Sequence, residues 1–189
     1  MDYKIRQNVA NDPNFEWSGS SWVHGTWLNG TWHGGHFNNG AWLDGTWVDG
    51  IWNHGVWNAG LWKNGIWLGG THVAGVWNSG TWHSGYWLGG EWDNGLWHSG
   101  LWNNGEWTGG VWIDGTWLNG AWYGGEWFNG THLGGDWYGG TWHDGTWKGG
   151  TWRGGNWVGG TWEGGKIVNK HGQEVYSEVN PAEFYANEK

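Results

Sequence analysis

Residues 25–50 read GTWLNGTWHGGHFNNGAWLDGTWVDG, a glycine followed by five copies of a five-residue unit. In Gly25-Thr26-Trp27-Leu28-Asn29 a glycine precedes an extended-structure former, an aromatic residue, a variable residue and a turn former. Working outward, the same comb runs from Trp17 to Trp162 without insertion or deletion. Of its 30 positions 27 hold Trp, and the others hold Phe37, His72 and His132. Three residues after each comes glycine, from Gly25 to Gly165, and only Ser20 departs from this. So strict a period means that every copy has the same backbone conformation and stacks on others like itself. It predicts a scaffold or binding surface and argues against an active site made of unlike loops.

One uninterrupted array in 189 residues predicts a single array domain, residues 16–165, between an N-terminal cap, 1–15, and a C-terminal segment, 166–189. Gly-rich chains are usually disordered, but such chains are poor in aromatics. Here aromatics are 20% of the residues, enough apolar surface to bury an ordered core. With no cysteine there is no disulfide and no thiolate metal site, so folding rests on packing alone. The opening MDYKIRQNVANDPN has no signal-like apolar run, and no stretch could span a bilayer. Cytoplasmic synthesis without membrane contact is the expectation. Export by a phage or a dedicated secretion system is the exception.

Charge disfavours nucleic acid as a direct ligand. The array carries 11 acidic residues against Lys63, Lys148 and Arg153, whereas phosphate contacts need basic side chains.

Thr, Val, Ile and Leu before Trp favour extended backbone. The residue before glycine is Asn, Asp or Gly in 23 of 30 copies, and these tolerate positive φ. Each copy thus reads as a short strand followed by a corner. Two architectures fit: a four-sided β-solenoid, and an antiparallel meander of three-residue strands joined by tight turns. Outward positions favour the solenoid, because Leu28, Val48, Leu68 and Leu88 recur at the spacing of four copies, as do Asn38, Asn58 and Asn78. Thirty copies then give about seven and a half coils, a rod of roughly 36 Å at the spacing of stacked strands.

The unit resembles that of the pentapeptide-repeat family, whose inward Ala and Leu or Phe are replaced here by Gly and Trp. The resemblance covers residues 16–165 and implies a right-handed, four-sided β-helix. The two exchanges nearly conserve core volume, which packed interiors accept. Inward Trp27, Trp47, Trp67, Trp87, Trp107, Trp127 and Trp147 form one core ladder on this reading. Each buried indole N–H then needs an acceptor, for which corner carbonyls are candidates.

Open coil ends invite aggregation. The C-terminal segment reads as a hairpin, Lys166–Val168 with Glu174–Tyr176, and a short helix opened by Pro181. Its Tyr176, Phe184 and Tyr185 are candidate docking residues if it tethers a partner rather than caps the rod.

Chemistry is sparse. No Ser/His/Asp constellation, metalloprotease helix or phosphate loop is present, so no enzyme activity, metal, cofactor or small-molecule substrate is expected. His72 and His132 share a column three coils apart, too far to hold one metal. Glu106 and Glu126 are expected to stack on a solvated face. Thr stands before the comb residue eleven times. In four-sided stacking, however, the column Thr26, Thr46, Ile66, Tyr86, Glu106 breaks after two, which removes an ice-binding face.

Outward apolar residues point to assembly. Ile66, Leu68, Tyr86 and Leu88 are expected on one face, and Ile113, Leu118, Tyr123, Phe128, Leu133 and Tyr138 form a belt. The function expected is a rigid acidic adaptor that associates with itself or another protein, such as a virion or fibre component. The family resemblance implies an alternative, a DNA mimic acting on a type II topoisomerase. A third is a carbohydrate-binding surface.

Overall fold

The computed structural model describes residues 16–18 and 21–188. The cap expected over residues 1–15 lies outside the described residues. In the array each copy contributes a strand of two residues, from Thr26–Trp27 and Thr31–Trp32 to Thr161–Trp162, and each glycine makes the corner that follows.

The solenoid expected from the comb forms, but with three sides rather than four. Strands pair in parallel with those three copies away, so Leu61 lies opposite both Thr46 and Val76. The result is three sheets of 11, 11 and 10 strands and a turn of 15 residues repeated about 10 times. The first sheet contains Ser21–His24, His36–Phe37 and Ile51–Trp52 and ends at Asn156–Trp157. The second runs from Thr26–Trp27 to Thr161–Trp162, the third from Thr31–Trp32 through Thr151–Trp152 into the C-terminal segment. Among the described residues antiparallel pairs occur only at the two ends of the array, so the meander does not form. At the spacing of stacked strands, ten turns make a rod of about 48 Å.

The corner decides the number of sides. A triangle demands a sharper bend than a square, and it comes from glycine at strongly positive φ, as at Gly105 (φ 127°). At such angles a side chain is strained. The strand backbones meanwhile make a continuous ladder: Ala41 N donates to Gly25 O (2.9 Å) and Leu43 N to Trp27 O (2.8 Å). This pattern satisfies the polar backbone of strands too short to persist alone.

Every comb side chain from Trp22 to Trp152 points inward and is buried. Along the axis rings stack face to face, Trp47 on Trp62 at 4.7 Å. Around one turn they meet edge to face, Trp47 with Trp52 at 6.1 Å and 75°. These are the two favoured arrangements of aromatic pairs. The seven expected ladder tryptophans are all core residues, but they divide among three columns. Trp67 and Trp127 belong to the first sheet, Trp27, Trp87 and Trp147 to the second, and Trp47 and Trp107 to the third.

Corner carbonyls do accept from some indoles: Trp112 Nε1 donates to Asn129 O and Trp117 Nε1 to Gly134 O, both at 3.1 Å. Most other mid-rod indoles, Trp92, Trp97 and Trp107 among them, find no acceptor within bonding geometry.

At the C-terminal end Gly165–Val168 continues the third sheet beyond Thr151–Trp152, with Ile167 buried over Trp152. It pairs antiparallel with Glu174–Ser177. The helix Pro181–Asn187 follows, capped by Asn180 Oδ1, which accepts from Glu183 N at 3.0 Å. Trp162 Nε1 donates to Ser177 O (2.9 Å), and the Tyr185 hydroxyl to Val168 O (2.9 Å). Phe184 and Tyr185 pack against the core, while Tyr176 stays exposed.

Arg153 ties this segment to the array. Its guanidinium contacts Asp136 (3.0 Å) and Glu174 (2.8 Å) and lies 5.4 Å over the Tyr138 ring. Hydrogen bonds from Lys166 and Arg153 hold the Glu174 carboxyl below the usual range. Solvent-exposed ion pairs contribute little to global stability, so Arg153→Ala is expected to act locally. Amide exchange should rise across residues 165–177 while mid-rod protection stays unchanged; equal protection in variant and wild type would show that the hairpin is held without this arginine.

Candidate interaction surfaces

In each copy the residues before and after the comb position face outward, so each sheet presents two columns of side chains. On the first face, rungs one turn apart carry Ile51, then Ile66 with Leu68, Thr81 with His83, Leu96 with His98, Val111 with Ile113, and Glu126 with Phe128. Asn53 Nδ2 donates to Asn38 Oδ1 at 2.7 Å below them. The His83 and His98 rings stack at 4.8 Å, and Phe128 stacks on His143 at 4.5 Å. Glu126 is the only Asp, Glu, Lys or Arg at an outward position here from Ser21 to Val158, and it meets His143 Nε2 at 2.6 Å.

The second face has no such residue at an outward position from Thr26 to Thr146. Leu28 with Leu43, Tyr86 with Leu88, and Leu118 with Leu133 fall here. Its upper end is a file of four threonines, Thr116, Thr131, Thr146 and Thr161, one per turn. The four-sided column has no counterpart at the true period, because Thr26, Thr46 and Ile66 lie on three different faces, and the column that begins at Thr26 becomes an unbroken threonine file only from Thr116. It is still one residue wide, because Leu118, Leu133, Lys148 and Glu163 fill the other outward positions. It makes no flat threonine lattice.

The third face collects the charge. Glu91 lies opposite Glu106, with Asp93 beside them, and Lys63, Asp136, Arg153 and Lys166 follow the same sheet. Tyr123 stacks on Tyr138 at 5.0 Å, and Glu106 pushes the Tyr123 phenol above its usual range. Asp44, Asp49, Asp114 and Asp144 sit at corners, where each accepts from the next glycine N–H.

The expected interface residues are therefore redistributed. Ile66 and Leu68 lie on the first face, Tyr86 and Leu88 on the second, so these four form no single patch. The belt does wrap the rod, over two turns. It splits into Ile113 with Phe128, Leu118 with Leu133, and Tyr123 with Tyr138. Glu106 and Glu126 are on different faces, and the stacked pair is Glu91 with Glu106. Sequence reasoning missed the segregation of charge to one face and the Arg153 tie. Both are visible once the chain is read at intervals of 15 residues, which places Tyr123, Tyr138 and Arg153 in one column.

His72 and His132 occupy the core column of the second sheet four turns apart, about 19 Å at the strand spacing. Burial pushes both imidazoles down to about 3. His132 Nδ1 faces Gly149 O at 3.1 Å. Gly89 O stands at the equivalent place for His72, whose ring nitrogens make no bond of good geometry. Among the described residues no three His, Cys, Asp or Glu side chains are placed to hold a metal ion, and no helix is long and apolar enough to cross a membrane.

No family model and no curated protein matches the chain. Among solved structures, a putative acetyltransferase from Desulfovibrio desulfuricans G20 is 5% identical, with 82% of this chain and 35% of that one covered and a TM-score of 0.15. The chain thus spans about a third of that protein. The polySia-specific acetyltransferase NeuO is 7% identical, with 84% of each chain covered and a TM-score of 0.18. Likenesses this weak carry no argument about fold or activity.

Proposed function

We propose that the protein is a non-enzymatic structural rod that assembles laterally with copies of itself. One observation carries this reading: two faces are almost free of charge along most of the rod and hold its exposed aliphatic side chains, while carboxylates gather on the third face and at the corners. Copies with a formal charge of −9 repel one another, and packing through the first and second faces leaves the charged face in water. A side of five residues by ten turns measures about 16 by 48 Å at strand dimensions. That is close to the ~800 Å² per partner of a standard interface. A flat side of this size, studded with half-exposed Ile66, Leu68, Ile113 and Phe128, suits a neighbouring rod. Two such faces per rod favour an extended or closed array of the sort that builds fibres and virions. Kinship with pentapeptide-repeat proteins forms part of this reading and rests on the five-residue unit; the three-sided section sets the chain apart.

The alternatives find less support. A DNA mimic displays acids along its length, whereas here Lys63, Arg153 and Lys166 share the face with the acids. A carbohydrate platform needs a row of open rings, whereas Tyr86 is the lone outward ring of the second face, Tyr123 and Tyr138 stack on one another, and Arg153 lies over Tyr138.

The test is mass in solution. Leu68→Asp with Phe128→Asp, on the first face, is expected to stop assembly at pairs. Adding Leu88→Asp and Leu133→Asp, on the second, should leave monomers, while Thr108→Asp on the third changes nothing. A monomeric wild type by light scattering at tens of micromolar would refute the reading, as would the same mass for the four-site variant.

A further inference from the structure

The largest uniform feature of the molecule is its interior, which neither assembly nor stability alone requires to be indole. The third-sheet column holds nine tryptophans in unbroken succession, Trp32 to Trp152, with ring centroids 4.5–5.2 Å apart. The first is likewise unbroken from Trp52 to Trp157. The first is interrupted near its start by Phe37 and the second by His72 and His132, and edge contacts such as Trp147–Trp152 at 5.7 Å connect the second to its neighbours. Indole is the most readily oxidised side chain of the inward comb, which holds no cysteine, methionine or tyrosine.

We propose that this core is a conduit for single oxidising equivalents along the rod axis, from its C-terminal end to tyrosines on its surface. An external one-electron oxidant takes one electron from Trp162, which is only partly buried, and is itself reduced by one electron. The Trp162 radical cation is refilled by Trp147, 5.2 Å away, and the vacancy passes on from ring to ring. It ends where a surface tyrosine gives one electron to the adjacent indole and its phenolic proton to water. A thiol or ascorbate-type reductant then returns one electron and one proton to the neutral tyrosyl radical. Tyr86 beside Trp87, Tyr123 beside Trp122 and Tyr138 beside Trp137 are exposed enough to serve.

Two features keep the vacancy moving. An oxidised indole is normally pinned when its N–H proton leaves. Here the N–H groups of Trp92, Trp97 and Trp107 find no acceptor, and those of Trp112 and Trp117 point at backbone carbonyls, which are very weak bases. Burying a charge is costly, but the cost is similar for every interior ring. It raises the threshold that the oxidant must exceed without trapping the charge at one site. Each cation also lies between two π faces, an arrangement that attracts it.

The absence of native cysteine makes one engineered thiol a unique attachment point. In a background of Tyr123→Phe, Tyr138→Phe and Tyr185→Phe, a photo-oxidant is placed at Tyr176→Cys, which is well exposed. The reporter is Tyr86, whose neighbour Trp87 lies five turns below Trp162 in the second sheet, about 24 Å at the strand spacing. A flash should yield a tyrosyl radical by electron paramagnetic resonance, assigned by its loss in Tyr86→Phe. The signal should be lost when one full turn, Trp97, Trp102 and Trp107, is changed to phenylalanine, a ring the core already accepts at Phe37. If that variant does not fold, moving the label to Leu133→Cys decides with the core untouched. Conduction by hopping requires a yield at Tyr86 that changes little between the two label positions. A radical confined to Trp162, a Tyr86 signal indifferent to the phenylalanine turn, or a steep fall of yield with label distance would each overturn the proposal.

Discussion

Replacing Gly105 with alanine is expected to destabilise the rod by roughly 3 kcal/mol or more, the cost of a strained φ plus a backbone clash. Gly105 has φ 127°, and a Cβ there would come 2.4 Å from Gly90 O and 3.2 Å from the Trp102 ring. That carbonyl accepts the Glu106 N–H at 3.0 Å, so making room for a methyl group breaks a rung as well as straining a corner. Neither flexible side chains nor solvent can absorb the shift, because the obstacle is the glycine of the preceding turn. Gly109→Ala is the matched control. It sits one place earlier in the unit, has no positive φ, and its Cβ would meet Asp93 O at an ordinary 3.4 Å. There the substitution should be neutral or stabilise by about 0.4–1 kcal/mol, through a less flexible unfolded chain. Chemical denaturation of the two variants side by side measures the difference. Similar stability for both would mean that the corners are more plastic than this geometry implies.

The same corner explains what was legible in the sequence and what was not. The inward comb, the strand-and-corner unit and the solenoid class follow from a glycine that never moves relative to Trp. The number of sides does not, because it depends on the angle at that glycine, which residue identity alone leaves open. Phase information has to come from departures, and the core offers three. His72 and His132 are twelve copies apart, a separation that both three and four divide, so they share a column in either geometry. Outward positions vary, but solvent constrains them weakly. Leu28, Val48, Leu68 and Leu88 therefore line up by composition rather than contact. The informative outward pairs are those that touch: Asn38 with Asn53, His83 with His98, and Tyr123 with Tyr138. All three are 15 residues apart. The candidate surface inherited the error in period, which merged parts of two faces into one and hid the charged third face.

The histidines that fail to mark the phase make the rod sensitive to acid. Both are buried neutral, with burial holding them at about 3 against an ordinary 6.5. The unfolded chain binds protons at these sites that the folded chain refuses. Stability is therefore complete above pH 6.5 and falls as pH drops toward 3, by up to ~1.4 kcal/mol per pH unit for each imidazole. By pH 4 the two together should cost roughly 7 kcal/mol on the same basis. Because each turn contacts only its neighbours, the loss should be concentrated rather than spread. At pH 4, amide exchange is expected to accelerate around residues 68–76 and 128–136 and to stay slow around 98–106, midway between the histidines. His72→Phe with His132→Phe removes this part of the acid response, and Phe37, stacked 4.1 Å from Trp52, shows that the core has room for the ring. The double variant should lose much less stability than wild type between pH 6.5 and pH 4. If both lose the same amount, the acid sensitivity belongs to the surface carboxylates, and the buried imidazoles take no part in it.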